Sequence, residues 1–310
     1  MPKQIITLDS SQIVAFRKCP RYWFYSYKQN LRSPYAKQRA ADMGTLAHLL
    51  LQMYYTMRVS QPTVDKLKHS EMAVAMFKKL WDSESRVKYK FTVEEITFLT
   101  TRFTQYVFQY YNNDFTPAKT KSGLPGVEIG FSKILYEDTS IIFVVEGRLD
   151  FLGYMSGINL WGDHKTQAQS RVLYQYRPQF LTYSWATGFD YALINYFGMQ
   201  KEFSQKTFHH QIIHFPKWRI DAWKEEMHSI FWQIKKMLET VSIMDYNKPV
   251  DDAFPMQTTS CGGSMDYFPC VFSRICETQD QETKEAIKKN YFYQREKWQP
   301  WSLEEEVETT

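Results

Sequence analysis

Apolar and polar positions alternate with a two-residue period in the middle of the chain, which is the pattern of β-strands with one buried face. This alternation predicts strands over 127–136, 140–153 and 158–165 that follow one another as a meander. Ser156 and Gly157 separate the last two strands and favour a tight hairpin turn. Further strands are predicted over 191–197 and 207–215.

Before and after these strands, apolar residues recur at helical spacing. A first helix is predicted to begin at a Ser10 or Ser11 cap and to run to about residue 28, with Pro20 kinking or breaking it. Helices near 42–57, 63–88 and 93–112 make the N-terminal third helical, and 116–126 is predicted to be a loop. Later helices are predicted over 178–187, where proline suits the first turn, and 220–240.

These elements predict an α/β fold in which a small mixed sheet is flanked by helices. We expect a single structural domain with four parts along the chain. Residues 1–115 form the helical region, 116–245 the core, 246–280 a cysteine-rich clasp and 281–310 a partly disordered tail.

The composition of the 310 residues is that of a globular protein, with 44% hydrophobic and 23% charged residues and a high aromatic content of 17%. No apolar run long enough for a membrane helix and no signal-peptide pattern is present, so we expect a cytoplasmic protein without membrane contact. The net charge of +4 is too small to indicate nucleic-acid binding by itself.

The predicted hairpin brings two carboxylates together. If Ser156 and Gly157 occupy the turn, Asp150 faces Asp163 and Arg148 faces Lys165 across the strands. Opposed carboxylates repel unless a cation lies between them, and oxygen ligands favour Mg²⁺ or Mn²⁺. Asp163 and Lys165 share one face while the intervening residue points to the other. The alternative is a solvated hairpin whose charges merely pair across the strands.

Three polar residues on predicted helices are candidates for the same site. His48 lies off the apolar stripe of its helix and is a candidate metal ligand, the alternative being a structural histidine. Gln179 and Tyr183 lie four positions apart on one helix face near a helix N-terminus, where free N–H groups attract phosphate. Without such a site they would be an ordinary surface pair.

The four cysteines, Cys19, Cys261, Cys270 and Cys276, form a second group. One early cysteine and a late triplet suggest a four-thiolate metal site, and either zinc or a [4Fe–4S] cluster satisfies four thiolates. Free buried cysteines with no common role are the alternative.

The segment 11–41 contains seven basic residues, no acidic residue and many aromatic residues. Such a segment either binds single-stranded nucleic acid or is a solvated helix face over an aromatic core. The candidate DNA-binding residues are Arg17, Lys18, Arg21, Lys28 and Arg32.

The ordered set Gly44-Thr-x-x-His48, Gly147-Arg-Leu-Asp150, Asp163-His-Lys165 and Gln179-x-x-x-Tyr183 resembles the RecB-type nucleases of the PD-(D/E)XK superfamily. The resemblance implies a restriction-endonuclease-like core and metal-dependent DNA cleavage. It implies that metal is bound by His48, Asp150, Asp163 and the backbone carbonyl of His164. It also implies that Lys165 is catalytic and that Gln179 and Tyr183 assist the site. Glu128 matches an accessory acidic position whose role is undecided.

Cys19, within Arg17-Lys-Cys-Pro-Arg21, and the late triplet are similar to the iron–sulfur subgroup of this superfamily, which includes AddB and the CRISPR-associated adaptation nucleases. That resemblance implies a [4Fe–4S] cluster that joins the two ends of the domain. The triplet here is spaced C-x8-C-x5-C, with a longer first gap than the usual C-x2-C.

The resulting prediction is a Mg²⁺- or Mn²⁺-dependent exonuclease that acts on single-stranded DNA ends. The alternatives are a structure-selective endonuclease on flaps or branches and a non-catalytic DNA-binding subunit of a recombination complex. The sequence has no Gly-x-x-x-x-Gly-Lys-Ser/Thr motif, so we expect a separate helicase or a recombination, repair or phage-type replication system to supply DNA ends.

Overall fold

The computed structural model describes residues 3–33, 39–81, 91–120, 122–166, 176–204, 206–243, 253–261 and 270–294. Its strands are β1 Gln4–Asp9, β2 Leu31–Arg32, β3 Thr116–Pro117, β4 Val127–Glu137, β5 Ile141–Met155, β6 Ile158–Lys165, β7 Tyr191–Phe197, β8 Phe208–His214 and β9 Tyr293–Gln294. Its helices are α1 Ser10–Lys18, α2 Pro20–Trp23, α3 Arg39–Ser60, α4 Lys66–Leu80, α5 Val93–Gln109, α6 Pro178–Thr187, α7 Lys217–Ile243, α8 Thr258–Cys261, α9 Ser273–Glu277 and α10 Gln281–Tyr291. None of the helices in these ranges is long and apolar enough to cross a membrane.

The chain divides into two compact units, each built from separate stretches of sequence. The first unit takes its described residues from Met1–Ala36, Ser132–Gly147 and Asp221–Pro300. The second unit takes them from Lys37–Phe131 and Arg148–Ile220.

In the first unit, β1 pairs in parallel with the first half of β5, from Gln4 opposite Ile141 to Asp9 opposite Glu146. The core beside this pair is aromatic: the ring of Phe143 stacks on Phe231 with centroids 4.7 Å apart and meets Trp232 edge-on at 5.2 Å. The short strands β2 and β9 pair with each other. The first unit is therefore held by contacts between residues far apart in sequence.

The first predicted helix is shorter than expected and has a different cap. The side chain of Asp9, rather than Ser10 or Ser11, accepts the Gln12 N–H at 2.8 Å and caps α1. The helix ends at Lys18, and the backbone of Cys19 is extended because the following proline disfavours helical geometry in the residue before it. Pro20 then begins α2, which continues into a π-helical turn over Phe24–Lys28.

In the second unit, β5, β6, β7 and β8 form a mixed sheet. The second half of β5 pairs antiparallel with β6, β6 pairs in parallel with β7, and β7 pairs antiparallel with β8. The crossover from β6 to β7 contains α6, as parallel neighbours require. This arrangement confirms the predicted α/β fold with a small mixed sheet.

The two faces of β6 pack against different helices. Leu160 lies in a core cluster with side chains of α3, α4 and α5, including Leu50 and Phe103. Trp161, the next residue, stacks on Phe180 of α6 with centroids 5.4 Å apart. Because side chains alternate along a strand, Asp163 and Lys165 lie on the same face as Trp161, toward α6.

Most predicted boundaries are within a few residues of those observed, and two further predictions need correction. The predicted loop at 116–126 contains the short strand β3, which pairs with β5. The helix predicted to reach 88 ends at Leu80, and 82–90 lie outside the described residues. The predicted tail begins with the ordered helix α10, which is capped by Asp280, while 295–310 lie outside the described residues.

Gly162 fits beneath an aromatic ring. A Cβ atom at this position would lie 1.7 Å from the ring of Phe151, its cross-strand partner. We expect Gly162→Ala to lower the free energy of unfolding by about 1–3 kcal/mol through overpacking, measured by urea denaturation. Asn159→Ala, at an exposed position of the same strand, is the control and should change it little. Equal stability of the two variants would contradict this packing.

Candidate active site

The β5–β6 hairpin has the predicted register. Ser156 and Gly157 have φ angles of 51° and 79°, and both being positive is the requirement of a type I′ turn. Met155 pairs with Ile158 and Phe151 pairs with Gly162, which is the register predicted from a turn at Ser156 and Gly157. Asp150 and Asp163 follow one position beyond the last paired residues. The backbone N–H of His164 donates to Asp150 Oδ2 at 2.6 Å and fixes this carboxylate at the end of the hairpin.

His48, Glu128 and Asp150 form a candidate metal site. One ligand atom from each of these side chains lies within 4.8 Å of the other two, and His48 Nδ1 is 3.4 Å from Asp150 Oδ2. Two carboxylates and one imidazole form an oxygen-rich donor set that fits Mg²⁺ or Mn²⁺. The structure thus brings Glu128, whose role was left open by the sequence, together with two of the predicted ligands, His48 and Asp150.

Glu128 reaches this cluster through an unusual backbone conformation. Its φ angle of 55° lies in the left-handed region, which costs a non-glycine residue about 1–3 kcal/mol. Its carboxylate also accepts an ion pair from Arg148 at 3.0 Å. Strain of this kind persists only where surrounding contacts enforce it, and it is concentrated at functional sites.

Asp163 and Lys165 form a second charged pair in the site. Lys165 Nζ is 2.6 Å from Asp163 Oδ2, and the amide of Gln179 donates to Asp163 Oδ1 at 3.3 Å. The same amide donates to the Tyr183 hydroxyl at 3.0 Å, and that hydroxyl donates to the Arg148 carbonyl at 2.7 Å. The four residues therefore form one connected network. Asp163 and the His164 carbonyl remain predicted metal ligands, because the cluster described above contains neither.

Burial and mutual attraction set the charges of these groups. Burial alone lowers the pKa of His48, but Asp150, Asp163 and Glu128 outweigh it and raise the pKa to about 9. Burial alone would raise the pKa of Asp150, but the His48 cation holds it below its ordinary value. Burial and then Asp150 raise the pKa of Glu128 to about 7. For Lys165, the adjacent carboxylates outweigh burial and raise the pKa, which keeps the ammonium charged.

His164 points to the opposite face of β6, as predicted. Its ring stacks on Tyr55 with centroids 5.7 Å apart, and its Nδ1 lies 2.7 Å from Asn195 Nδ2. Burial lowers its pKa to about 3, so the ring is neutral. Asn195 was not predicted, although a single amide within the apolar run of β7 is a usable signal because a buried polar group needs a partner.

Gly44, the first residue of the Gly-Thr-x-x-His motif, lies against the end of β6. A Cβ atom on Gly44 would come 2.8 Å from the Thr166 hydroxyl oxygen. The glycine therefore permits close approach of α3, which carries His48, to the end of the strand that carries Asp163 and Lys165.

The model of the PD-(D/E)XK nuclease superfamily matches residues 8–277. The chain belongs to this superfamily. No protein in a collection of curated sequences matched it.

Two solved structures resemble this nuclease-superfamily member. One is SSO0001, with a TM-score of 0.33 and 10% identity over 75% of this chain and 78% of the other. The second is a candidate exonuclease from Eubacterium rectale, with a TM-score of 0.40 and 12% identity over 79% of this chain and 92% of the other.

The cysteines of this superfamily member all lie in the first unit, and none forms a disulfide. Hydrogen bonds connect their segments: the Gln257 N–H donates to Cys19 Sγ at 3.4 Å, and the Cys270 N–H donates to the Cys261 carbonyl at 3.2 Å. Cys276 lies on α9, six residues after Cys270. Burial, and then the Cys19 thiol, raise the pKa of Cys261.

The basic aromatic segment is partly internal. Phe16, Trp23, Phe24 and Tyr25 are buried, which excludes these four rings as stacking surfaces for bases. Arg17 forms an ion pair with Glu226, Arg21 donates to the Phe254 carbonyl at 3.0 Å, and Arg32 donates to the Ser26 carbonyl. Lys18 is half-buried, Lys28 is exposed, and 34–38 lie outside the described residues. The role of these cations in DNA binding remains a prediction.

The metal site can be tested by Mn²⁺ binding, followed by calorimetry. We expect Glu128→Gln and Asp150→Asn each to weaken Mn²⁺ binding at least tenfold, because each removes a charged ligand. Glu137→Gln is the matched control, since Glu137 lies on β4 with Glu128 but pairs with Lys3 at 2.6 Å, outside the cluster. Unchanged affinity in both site variants would show that metal is bound elsewhere.

Proposed function

We propose that this PD-(D/E)XK superfamily member is a Mg²⁺- or Mn²⁺-dependent exonuclease that hydrolyses single-stranded DNA ends. One observation carries the nuclease part: a His48, Glu128 and Asp150 cluster lies in the same unit as a charged Lys165 held by Asp163. A bound divalent cation and a nearby ammonium can together stabilise the negative charge that develops during phosphodiester hydrolysis. The preference for single-stranded ends is supported by the resemblance to RecB-type nucleases.

A divalent cation, when bound, supplies an activated water molecule and stabilises negative charge on the phosphate. His48, Glu128 and Asp150 would hold the cation, with Asp163 and the His164 carbonyl as the further predicted ligands. Asp163 holds the Lys165 ammonium, which neutralises charge that develops on the phosphate oxygens in the transition state. Gln179 restrains Asp163 through its amide and thereby keeps the lysine oriented.

Replacing the lysine should separate cleavage from metal binding. We expect Lys165→Ala to lower the cleavage rate by at least 100-fold, because it removes the charge that stabilises the transition state, while Mn²⁺ binding persists. The assay is digestion of 5′- and 3′-labelled oligonucleotides, single- and double-stranded, with Mg²⁺ or Mn²⁺.

Lys201→Ala, an exposed lysine of the same unit, is the control and should cleave like the unsubstituted protein. Stepwise shortening from one label identifies an exonuclease, whereas a single product at a flap or branch identifies the endonuclease alternative. No cleavage by the unsubstituted protein with either metal would leave only a non-catalytic DNA-binding role.

We also propose that Cys19, Cys261, Cys270 and Cys276 bind a structural [4Fe–4S] cluster, with zinc as the alternative. The proposal is supported by the hydrogen bonds that join the segments of Cys19, Cys261 and Cys270. A cluster that closes the long loop from Cys19 to Cys261 would stabilise the first unit by reducing the entropy of the unfolded chain.

Protein purified without oxygen should be brown and contain four iron and four sulfide per chain, as a [4Fe–4S] cluster requires. Cys19→Ala should lose the colour and have a lower melting temperature. Colourless, fully active protein that contains zinc would rule out the cluster.

A further inference from the structure

Two large aromatic side chains in the second unit are exposed and share one arginine. Tyr176 is 62% exposed and Trp218 is 65% exposed. The guanidinium carbon of Arg219 lies 5.1 Å from the ring centroid of each. We call these three residues the aromatic platform.

The platform differs from a single exposed aromatic residue. Single exposed aromatics are common on protein surfaces, but here two exposed rings share one guanidinium, which places a positive charge beside both. No carboxylate forms an ion pair with Arg219 in the described part of the chain. Arg219 is half-buried and its buried Nε has no hydrogen-bond partner among the described residues, so the guanidinium charge is not neutralised there.

The platform adjoins the candidate active site through α6. Tyr176 lies three residues before Gln179, whose amide contacts the Asp163 carboxylate at 3.3 Å. The intervening Arg177 is the N-cap residue of α6, and its charge acts on the Lys165 ammonium. A DNA strand whose phosphate reaches Lys165 would therefore pass close to Tyr176.

A buried tryptophan connects both sides of the platform. Trp161 contacts Phe180 on α6 at 5.4 Å and Phe215 at 5.8 Å between ring centroids. Phe215 is fully buried, donates its N–H to the Asp190 carbonyl at 2.7 Å, and precedes Trp218 by three residues. The platform is thus anchored to the strand that carries Asp163 and Lys165 rather than to a free loop.

We propose that the aromatic platform stacks the unpaired bases of a DNA strand as it enters the active site, an inference that rests on the proposed nuclease function. Aromatic rings bind bases through their faces, and Arg219 adds a cation for the adjacent phosphate. Bases inside a duplex already stack on each other and offer no free face. The platform therefore selects single-stranded over blunt double-stranded ends.

Binding of a single-stranded oligonucleotide that contains 2-aminopurine, in EDTA to prevent cleavage, tests this inference. Each base stacked on an aromatic ring contributes about 1–3 kcal/mol. We therefore expect Trp218→Ala and Tyr176→Ala each to raise the Kd by about tenfold and to reduce 2-aminopurine quenching, while Trp218→Phe retains most of both.

Phe108→Ala is the matched control, because Phe108 is 69% exposed on α5 and has no cation over its ring in the described part of the chain. It should bind like the unsubstituted protein. A Kd for Trp218→Ala equal to that of the control would overturn the inference, as would an equal loss of affinity for blunt duplex. Either result can occur in a protein that cleaves DNA with Mg²⁺, so failure of the platform and failure of the nuclease proposal are distinguishable.

Discussion

The site depends on the pairing of three buried or half-buried carboxylates with three cations. Glu128 pairs with Arg148 at 3.0 Å, Asp150 with His48 at 3.4 Å and Asp163 with Lys165 at 2.6 Å. Like charges gathered in a poorly solvated region repel strongly, and removing one member of a buried pair typically costs about 3–5 kcal/mol. The three pairs therefore let these carboxylates lie close together without unfolding the surrounding chain, and a divalent cation that binds there would displace the proton of His48.

The candidate catalytic residues and the buried histidine of β6 lie on opposite faces of the strand. Asp163 and Lys165 lie on the side of α6 and contact its polar residues, whereas His164 lies among aromatic side chains and pairs with Asn195. A single strand therefore provides reactive groups on one face and a neutral, buried histidine on the other. The Asn195 contact holds the backbone from which both reactive side chains project.

Much of the site can be predicted from the sequence because the position of a hairpin turn fixes which residues of the two strands face each other. The hairpin register, the shared face of Asp163 and Lys165 and the opposite face of His164 needed only the position of the turn. Glu128 was harder, because no rule places a glutamate at positive φ, and its place beside Asp150 depends on that conformation. The aromatic residues of 11–41 show a different limit: composition reveals many rings but not that Phe16 and Trp23 face the core.

The turn at Ser156 and Gly157 is exposed, which usually marks a position that accepts added residues. Here the length of the turn sets the register that places Asp163 and Lys165 in the site. If an extra residue slid β6 by one step against β5, every side chain on the strand would change sides. Asp163 would then leave the face of α6 and point among the rings around Tyr55. Tags and fluorescent labels for this enzyme family member are therefore better attached at other exposed segments than at this turn.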